Sequence, residues 1–490
     1  MSIQLHSTDS STDATDRRYP QLAMLIDGRW VETGGSGSRQ VENPATLSIL
    51  GNVPLADEQQ LDAALAAAGR AFGTWRLVSP RDRAGVLHRA AALLRERTET
   101  IATAMTLENG KPLRESRDEV AFSADIIDFL AGEAQRSFGT STIDGATRRV
   151  TLSVEPIGPV AAFTPWNYPL IVPARKIAAA LAAGCTMVIK PDEETPASAV
   201  ELARALVDAG LPAGVVNVVF GEPARVSAHL IASPVVRKVS FTGSTSVGKH
   251  IAALASAGAK RTMLELGGHA PVIVFDDVDP VAVAQQAIGS KFHNAGQSCG
   301  SPTRFYVHQG VHDEFVGALS EAASRLVVAD GIDERAQMGP LANVRRLDAV
   351  RRLIVDAAGR NASVVTGGAL DGIGHFWAPT VIANVDDDAQ SMNEEPFGPI
   401  ALTAPFTDTD EVIARANRLP YGLAAYVFTG SARTAALVPR ALEVGMVGVN
   451  HFSLGGEDTF FGGVKESGYG SEGGAEAVHE YQIRKLIDEA

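Results

Sequence analysis

The chain has 490 residues, of which 45% are hydrophobic, and its 43 basic and 57 acidic residues give a net charge of −14. This length allows two or three domains, and the acidic balance without any block of Lys or Arg argues against nucleic acid or an anionic membrane surface as a partner. The two cysteines, Cys185 and Cys299, are too few for a disulfide framework or a thiolate-rich zinc site, so we expect a reducing cytoplasm and no metal.

The N-terminal segment, residues 1–20, is rich in Ser, Thr and Asp and is expected to be a disordered tail. It lacks the basic start and the apolar core of a secretory signal. The most apolar long region, residues 168–190, contains Arg175 and Lys176 and is therefore a poor candidate for a membrane span. We expect no membrane attachment.

Short strands and turns follow the tail, and then a run of helices. Turns at residues 26–28 and 43–46 predict a hairpin within residues 22–53. Asp57 is the expected cap of the first helix, and further helical patterns cover residues 81–109 and 113–133. Ala, Leu and Arg, which have high helix propensity, dominate these segments.

From about residue 146, strands and helices alternate. Residues 148–154 alternate polar with apolar side chains, as a half-exposed strand does, and are a candidate for an oligomer interface. The apolar strands that follow are predicted at residues 160–164, 186–190, 215–219, 236–241 and 262–266. This rhythm predicts a Rossmann-like, parallel, doubly wound sheet, whose ligand crevice lies beyond the carboxyl ends of its strands.

A second α/β pattern begins near Pro271 and includes a strand at residues 305–308 and helices over residues 281–292, 311–326, 343–358 and 410–417. The last segment, residues 479–488, alternates like an edge strand that could pair with another subunit. The predicted domains are a dinucleotide-binding domain (21–137 and 156–265), a second α/β domain with the Cys nucleophile (266–468) and a small β arm for oligomerisation (138–155 and 469–490).

Several strand ends carry residues suited to a dinucleotide. The strand at 236–241 leads into Gly243 and Ser244 and then a helix, whose free backbone N–H groups could hold a phosphate, although a plain turn explains them equally well. Lys190 and Glu193 could hydrogen-bond a ribose diol, with a solvated turn as the alternative. A carboxylate at Glu193 would repel a 2′-phosphate, which favours NAD over NADP. Gly221 also ends a strand.

Three residues are candidates for catalysis. Cys299 lies in a loop of small and polar residues that could support a thiolate, although a lone cysteine is more often a small buried hydrophobe. Glu265 ends a strand, where a partly desolvated carboxylate can act as a general base. Asn167 offers an amide that could stabilise an oxyanion, or it is simply a turn residue.

Five motifs occur in a fixed order: Thr164-Pro165-Trp166-Asn167-Tyr168-Pro169, Phe241-Thr242-Gly243-Ser244-Thr245, Leu264-Glu265-Leu266-Gly267-Gly268, Gly296-Gln297-Ser298-Cys299 and Glu395-Pro396-Phe397-Gly398-Pro399. With them the chain closely resembles the NAD(P)-dependent aldehyde dehydrogenase superfamily over nearly all residues after about 20. The resemblance implies that Cys299 attacks the aldehyde, that the Asn167 side chain and the Cys299 N–H hold the oxyanion, and that Glu265 activates water to hydrolyse a thioester.

The resemblance also implies the cofactor contacts. It assigns Lys190 and Glu193 to the adenosine ribose, Ser244 to the pyrophosphate, and Glu395 and Phe397 to the nicotinamide ribose and ring. The remaining expected contacts are Thr164, Pro165, Trp166, Gly221, Gly243 and Leu266. Lys176 and Glu472 match positions tied to proton relay in some relatives. Relatives that transfer the acyl group to coenzyme A lack the base at Glu265, so hydrolysis is expected, and a non-catalytic NAD-binding protein is a further alternative.

Arg175 bears on the choice of aldehyde. An arginine inside an apolar helix is costly unless it is paired, and its partner could be a substrate carboxylate or a structural ion pair. This pattern is similar to the succinate-semialdehyde dehydrogenase branch, with Ser301 as a second substrate-side residue. Two departures from that branch are the lack of a second cysteine after Cys299 and the presence of His269. We therefore expect an ω-semialdehyde acid, or else lactaldehyde or another small or aromatic aldehyde, and a homodimer or homotetramer.

Overall fold

The computed structural model describes residues 18–144 and 147–490. Most of the predicted disordered tail lies outside these residues. Tyr19, within its last three residues, is buried, and its hydroxyl donates a hydrogen bond to Glu108 Oε2 at 2.6 Å. The folded part therefore begins at least two residues earlier than we predicted. Within the described ranges, no helix is long and apolar enough to cross a membrane.

The first half of the chain supplies the predicted hairpins, helices and alternating strands. Its strands are β1 (Met24–Ile26), β2 (Arg29–Val31), β3 (Ser38–Glu42), β4 (Ile49–Pro54), β5 (Thr140–Asp144), β6 (Arg148–Pro156), β7 (Val160–Phe163), β8 (Met187–Lys190), β9 (Val216–Val218), β10 (Lys238–Thr242) and β11 (Arg261–Glu265). Its helices are α1 (Glu58–Trp75), α2 (Pro80–Glu96), α3 (Thr98–Asn109), α4 (Leu113–Glu133), α5 (Ile171–Ala183), α6 (Pro196–Asp208), α7 (Pro223–Ala232) and α8 (Thr245–Ala257). Asp57 caps α1 as predicted, in a capping box with Gln60.

The second half contains more elements than we predicted. Its strands are β12 (Ala270–Val274), β13 (Pro302–His308), β14 (Ser363–Ala369), β15 (Trp377–Ala383), β16 (Ile400–Phe406), β17 (Ala424–Phe428), β18 (Met446–Val449), β19 (Gly468–Tyr469) and β20 (Gln482–Glu489). Its helices are α9 (Pro280–Lys291), α10 (His312–Ser324), α11 (Val344–Gly359), α12 (Gln390–Asn393), α13 (Thr409–Asn417), α14 (Ala432–Ala441) and α15 (Glu476–His479). Strands β14, β15 and β16 were not predicted.

The first sheet has the strand order β19-β11-β10-β7-β8-β9-β1-β2. Its central strands β9, β8, β7, β10 and β11 are parallel, while β1, β2 and β19 pair antiparallel at the edges. The chain runs from β7 to β8 and β9 on one side and returns to β10 on the other, so β7 and β10 border a topological switch point. The predicted doubly wound sheet is confirmed, and its crevice lies at the carboxyl ends of β7 and β10.

The second sheet has the order β14-β15-β16-β13-β12-β17-β18 and is parallel except for β14. A hydrophobic core surrounds each of the two sheets. One core draws on residues 19–266 together with Ala477, Val478 and Tyr481, and the other draws on residues 270–446. The chain passes from the first core to the second directly after Glu265, so the end of β11 lies at the junction.

The small β arm is an antiparallel sheet in the order β20-β6-β5. β20 is an edge strand, as predicted, and it pairs along its length with β6 of its own chain. Its predicted pairing with another subunit stays a prediction. The other edge of β20 has no strand partner in the part of the chain that the structure describes. Apolar side chains on the arm are exposed, with Phe138 at 76%, Ile143 at 70% and Leu486 at 64%.

Candidate active site

A cavity of about 900 Å³ lies where the two sheets meet. The first sheet contributes residues at strand ends, including Asn167 after β7, Ser244 after β10 and Glu265 at the end of β11. The second sheet contributes residues that precede its strands, among them Cys299 before β13. The predicted catalytic residues Asn167, Glu265, Cys299 and Glu472 all line this one cavity.

The loop that leads to Cys299 is held in a strained conformation. Asn294, Ala295 and Gly296 have φ angles of 48°, 52° and 70°, in the left-handed region that costs energy for residues with a side chain. At Gly296 a Cβ atom would lie 2.2 Å from the Gly398 carbonyl oxygen, so only glycine fits. Gln297 Nε2 donates to the Asn294 carbonyl at 3.0 Å and closes the turn.

The Cys299 thiol is half-buried and faces carboxylates. Burial raises its pKa well above the usual value, and the negative charges of Glu265, Glu395 and Glu472 raise it further. Among these carboxylates, Glu265 has the largest effect on the pKa of the thiol. The raised pKa favours the neutral thiol, so attack on a carbonyl carbon would require transfer of its proton to a base.

Glu265 is the predicted general base, and it lines the same cavity as that thiol. The side chain is buried, and Glu265 Oε1 has no hydrogen-bond partner among the described residues. Burial raises the pKa of Glu265 to about 8, with the charge of Glu472 as the next contribution. Such a carboxyl group is a much stronger base, once ionised, than an exposed glutamate. Its unpaired oxygen is suited to accept a proton from water.

The Asn167 side chain is buried beside the Cys299 loop. Asn167 Nδ2 donates to the Gln297 carbonyl oxygen at 3.1 Å, which uses one of its two hydrogens. The backbone carbonyl oxygen of Asn167 accepts hydrogen bonds from Lys111 Nζ and from Asn294 Nδ2, both at 2.8 Å. The loop is therefore fixed, and the second Nδ2 hydrogen remains for an oxyanion in the cavity.

Behind the cavity, Lys176 and Glu472 form a buried ion pair. Lys176 Nζ also donates to Ser240 Oγ at 2.8 Å, and Thr242 Oγ1 donates to Glu472 Oε1 at 2.7 Å. Glu472 lines the cavity, whereas Lys176 lies one layer further back. The two predicted relay residues are thus in direct contact, and Glu472 is the one on the side of Glu265.

The predicted cofactor residues fall into two groups along the carboxyl edge of the first sheet. Those lining the cavity are Pro165, Trp166, Gly243, Ser244, Leu266, Glu395 and Phe397. Trp166 and Phe397 contact each other edge to face, with ring centres 5.5 Å apart. Glu395 accepts a hydrogen bond from the Gly268 N–H at 3.1 Å.

The second group lies beyond this cavity, at the ends of β8 and β9. Lys190 Nζ is 2.7 Å from Glu193 Oε1, and the Gly221 N–H donates to the same oxygen at 2.9 Å. Thr164 connects the two groups, because its N–H donates to the Lys190 carbonyl at 3.2 Å. The predicted ribose residues are therefore together, at the distal end of the crevice.

The crevice fits a dinucleotide in its polar groups. Helix α8 begins at the switch point, and the side chain of its N-cap residue, Ser244, makes no capping hydrogen bond. The N–H groups of the first turn are left for an anion, which the helix dipole also favours. A Cβ atom at Gly243 would lie 2.6 Å from the Phe241 ring, so glycine is required at the start of this turn.

Arg175 is buried in α5 and reaches the cavity. Its guanidinium carbon lies 4.5 Å from the centre of the Phe461 ring and 5.9 Å from that of Phe122. Arg175 Nη2 donates to the Gly455 carbonyl at 3.1 Å, while Nε has no partner and no carboxylate forms an ion pair with it among the described residues. The structural ion pair that we considered as an alternative is therefore not found.

The sequence departs from the succinate-semialdehyde dehydrogenase pattern after Cys299 and at His269, and these two places have different surroundings. Ser301 lines the cavity and accepts a hydrogen bond from the buried Lys291 Nζ at 3.1 Å. His269 does not line the cavity. Its ring nitrogens lie 2.7 Å from Thr303 Oγ1 and 2.9 Å from the Ser391 carbonyl oxygen, which makes it a fully bonded core residue.

Our sequence reading missed the charged residues that support the site. Lys111, Glu115 and Glu119 are buried beneath the Asn167 and Cys299 loops. Glu115 and Glu119 are four residues apart on one face of α4, and Lys111 lies four residues before Glu115, just outside the helix. This regular spacing was the signal in the sequence. We passed over it because charged residues on a helix are usually solvated. The aromatic residues of the cavity, such as Tyr426 and Phe452, gave no signal of their own.

Comparison with known proteins identifies the family. Residues 30–487 match the aldehyde dehydrogenase family. The chain is 46% identical over 471 residues to a 4-(hydroxymethyl)benzenesulfonate dehydrogenase of Comamonas testosteroni, covering 96% of this chain and 98% of that one. It is 42% identical over 460 residues to an NADP-dependent succinate-semialdehyde dehydrogenase of Escherichia coli K12, covering 93% and 95%. The crystal structure of succinate-semialdehyde dehydrogenase from Burkholderia pseudomallei superposes with a TM-score of 0.94 at 39% identity, covering 97% and 99%.

The chain belongs to the aldehyde dehydrogenase family. It is an enzyme that acts on aldehydes, with NAD or NADP as its cofactor. The resemblance that we inferred from the five motifs, including the likeness to succinate-semialdehyde dehydrogenases, is confirmed.

The raised pKa of Glu265 predicts the pH dependence of the predicted hydrolysis. A general base must be ionised, so the steady-state rate should rise as the pH increases through about 8 and level off above it. The measurement is NADH formation between pH 6 and 10, with the initial burst separated from the steady state. Glu265→Gln should lose this limb from the steady-state rate, and a wild-type rate that is flat over this range would contradict the prediction.

Proposed function

We propose that this enzyme oxidises an aldehyde that carries an anionic group, giving the carboxylic acid through a covalent intermediate on Cys299. The observation that carries the proposal is the cavity itself. It combines the Cys299 thiol with the buried carboxyl group of Glu265, the Asn167 amide beside the Cys299 loop, and the guanidinium of Arg175. That guanidinium has no ion-pair partner among the described residues, and its Nε has no hydrogen-bond partner there.

The first step forms a bond between Cys299 Sγ and the carbonyl carbon. The thiol proton moves to Glu265, which lines the same cavity and has the largest carboxylate effect on the pKa of that thiol. The aldehyde oxygen then carries the negative charge and accepts hydrogen bonds from Asn167 Nδ2 and the Cys299 N–H. Loss of one such donor typically costs about 10²- to 10³-fold in kcat.

The second half of the reaction needs Glu265 in its ionised form. The hydride acceptor for the substrate carbon would be supplied by bound NAD(P). Glu265 releases the thiol proton to solvent, with the buried Glu472 and Lys176 pair as the proposed relay, and can then take a proton from water. The water oxygen attacks the acyl carbon and the bond to Cys299 Sγ breaks. The acid leaves, and the proton held by Glu265 returns to the Cys299 thiolate.

The ribose end of the crevice favours NAD over NADP. Glu193 is buried, with its oxygens bonded to Lys190 and the Gly221 N–H, and Asp192 and Glu194 flank it in the sequence. This negative charge opposes the 2′-phosphate of NADP. The charge argument disfavours NADP binding without preventing it.

Substitution of Cys299 tests the covalent mechanism. We expect NADH formation without coenzyme A, faster with NAD+ than with NADP+, and its loss in Cys299→Ala. Cys185→Ala is the matched control, because Cys185 is buried in the first core and its thiol contacts only the Tyr481 carbonyl. Turnover in Cys299→Ala, or a requirement for coenzyme A, would refute the mechanism.

Both thiols are free, which fits the predicted reducing cytoplasm.

Arg175 supports an anionic substrate. A buried guanidinium with an unpaired N–H is costly, and a carboxylate or sulfonate in the cavity would supply the missing partner. Relatives of this chain are named for succinate semialdehyde and glutarate semialdehyde, both of which carry a carboxylate. An ω-semialdehyde acid is accordingly the first candidate.

The wall of the cavity favours a second candidate, an aromatic aldehyde with an anionic substituent. The aromatic side chains that line the cavity include Phe122 and Phe461, which contact the Arg175 guanidinium, and Tyr426 and Phe452, which pack against each other. Aromatic rings pack well against one another and bury a large area. Relatives named for 4-(hydroxymethyl)benzenesulfonate share 46% of their residues with this chain.

A panel of four aldehydes with Arg175 variants tests the substrate class. The panel pairs succinate semialdehyde with butanal and 4-formylbenzenesulfonate with benzaldehyde. Arg175→Ala should raise KM for the anionic member of the preferred pair by about 10- to 100-fold, since a charge-assisted hydrogen bond is lost. KM for the neutral member should change by less than about threefold, and Arg175→Lys should retain part of the preference. Equal effects on both members would remove Arg175 from substrate binding.

The β arm supports assembly into a homodimer or homotetramer. Its exposed apolar side chains and the free edge of β20 are features of a surface that another subunit covers. Light scattering should give a mass at least twice that of the 51.4 kDa chain. Leu486→Asp should lower that mass, whereas Leu77→Asp, at an exposed position on no strand of the arm, should not. A wild-type monomer would contradict this part of the proposal.

A further inference from the structure

Three charged side chains are buried beneath the active-site loops. Lys111 precedes α4, and Glu115 and Glu119 lie on its first turns. The side chains of Lys111, Glu119 and Glu115 are 0%, 2% and 3% exposed. Burial of charged groups is unfavourable unless they are well paired, so the contacts of these three side chains must offset that cost. We refer to these three residues as the buried charge cluster.

The cluster holds the loop that carries Asn167. Lys111 Nζ is 2.5 Å from Glu119 Oε2 and donates to the Asn167 carbonyl at 2.8 Å. Glu119 Oε1 accepts hydrogen bonds from the N–H groups of Leu170 at 2.9 Å and Ile171 at 3.2 Å. These N–H groups belong to the start of α5, which has no side-chain cap of its own. The carboxylate therefore satisfies donors that the helix would otherwise leave unpaired.

The same cluster holds the loop that carries Cys299. Glu115 Oε2 accepts the Asn294 N–H at 2.8 Å. Asn294 is the first residue of the left-handed turn, and its Nδ2 donates to the Asn167 carbonyl at 2.8 Å. The Asn167 backbone carbonyl oxygen thus accepts hydrogen bonds from both Lys111 Nζ and Asn294 Nδ2. The two loops come from different hydrophobic cores, and the cluster joins them.

We propose that Lys111, Glu115 and Glu119 are positioning residues that fix the distance between the two oxyanion donors, the Asn167 side chain and the Cys299 N–H. This inference rests on the proposed oxyanion role of Asn167. None of the three residues lines the cavity, so they act through the loops they hold. Donors that are fixed in advance do not have to reorganise when charge develops on the substrate oxygen.

A double-mutant cycle on kcat tests the proposal. Glu115→Ala should lower kcat by about 10- to 100-fold, the loss expected when catalytic groups move by about 1 Å, with the dissociation constant for NAD+ unchanged within about twofold. In an Asn167→Ala background the same substitution should cost less than about threefold, because the donor it positions is gone. Glu115→Gln keeps an oxygen for the Asn294 N–H and should recover most of kcat.

Lys111→Met provides a second cycle, should Glu115→Ala fail to fold. Lys111→Met should also lower kcat, and its effect on kcat should be smaller in an Asn167→Ala background than in the wild type. Glu108→Gln is the matched control. Glu108 is likewise buried and caps a helix, accepting the N–H groups of Ala197 at 2.8 Å and Ser198 at 3.0 Å, but it contacts neither loop. It should lower the unfolding temperature and leave kcat unchanged.

The outcomes separate this inference from the proposed function. Wild-type kcat in Glu115→Ala or Lys111→Met, or full additivity with Asn167→Ala, would overturn the positioning role alone. Wild-type kcat in Asn167→Ala would overturn the proposed oxyanion role and the positioning role with it. A loss of kcat in the cluster variants that is non-additive with Asn167→Ala supports both.

Discussion

The backbone carbonyl oxygen of Asn167 joins the two loops of the active site. It accepts one hydrogen bond from Lys111, within the first core, and one from Asn294, on the loop of the second core. The predicted nucleophile and the predicted oxyanion amide belong to different α/β units, so their separation cannot be set by either unit alone. This shared acceptor links the two units, together with the hydrogen bonds from Asn167 Nδ2 to the Gln297 carbonyl and from the Asn294 N–H to Glu115. The left-handed turn before Cys299 persists because Glu115 and Asn167 hold its first residue on both sides.

Charge is distributed unevenly along the cavity. Glu265, Glu395 and Glu472 surround the thiol, and burial raises the pKa of Glu265 to about 8 and that of Glu395 to about 7. These carboxylates disfavour a free thiolate, so in the proposed mechanism the deprotonation of Cys299 would be coupled to attack on the substrate. Arg175 supplies positive charge to the same cavity. An anionic aldehyde is repelled by the carboxylates and attracted by the guanidinium, which would turn its neutral aldehyde end toward Cys299.

The sequence predicted the first half of the fold better than the second. Strands β7 to β11 are short apolar runs between helices, and the rule that ligands bind at the carboxyl ends of parallel strands correctly brought Asn167, Ser244 and Glu265 together. That rule does not apply to Cys299, which precedes its strand. Strands β14 to β16 escaped prediction because β14 is largely exposed and rich in glycine, which weakens the alternation on which strand prediction depends. The sequence alone does not distinguish a buried glutamate such as Glu115 from a solvated one, because its burial depends on loops that are distant in the sequence.

The space beside the nucleophile bears on the choice between the two substrate candidates. A Cβ atom at Gly300 would meet only Tyr426 Oη, at 4.0 Å, so the backbone leaves open volume next to Cys299. Tyr426 Oη donates to the Gly300 carbonyl at 2.7 Å, which holds its ring at this position, and Phe452 packs against it with ring centres 5.1 Å apart. A slender aliphatic chain would leave part of this volume unfilled, whereas a planar ring would contact both aromatic faces. The open volume at Gly300 therefore supports the proposed aromatic candidate.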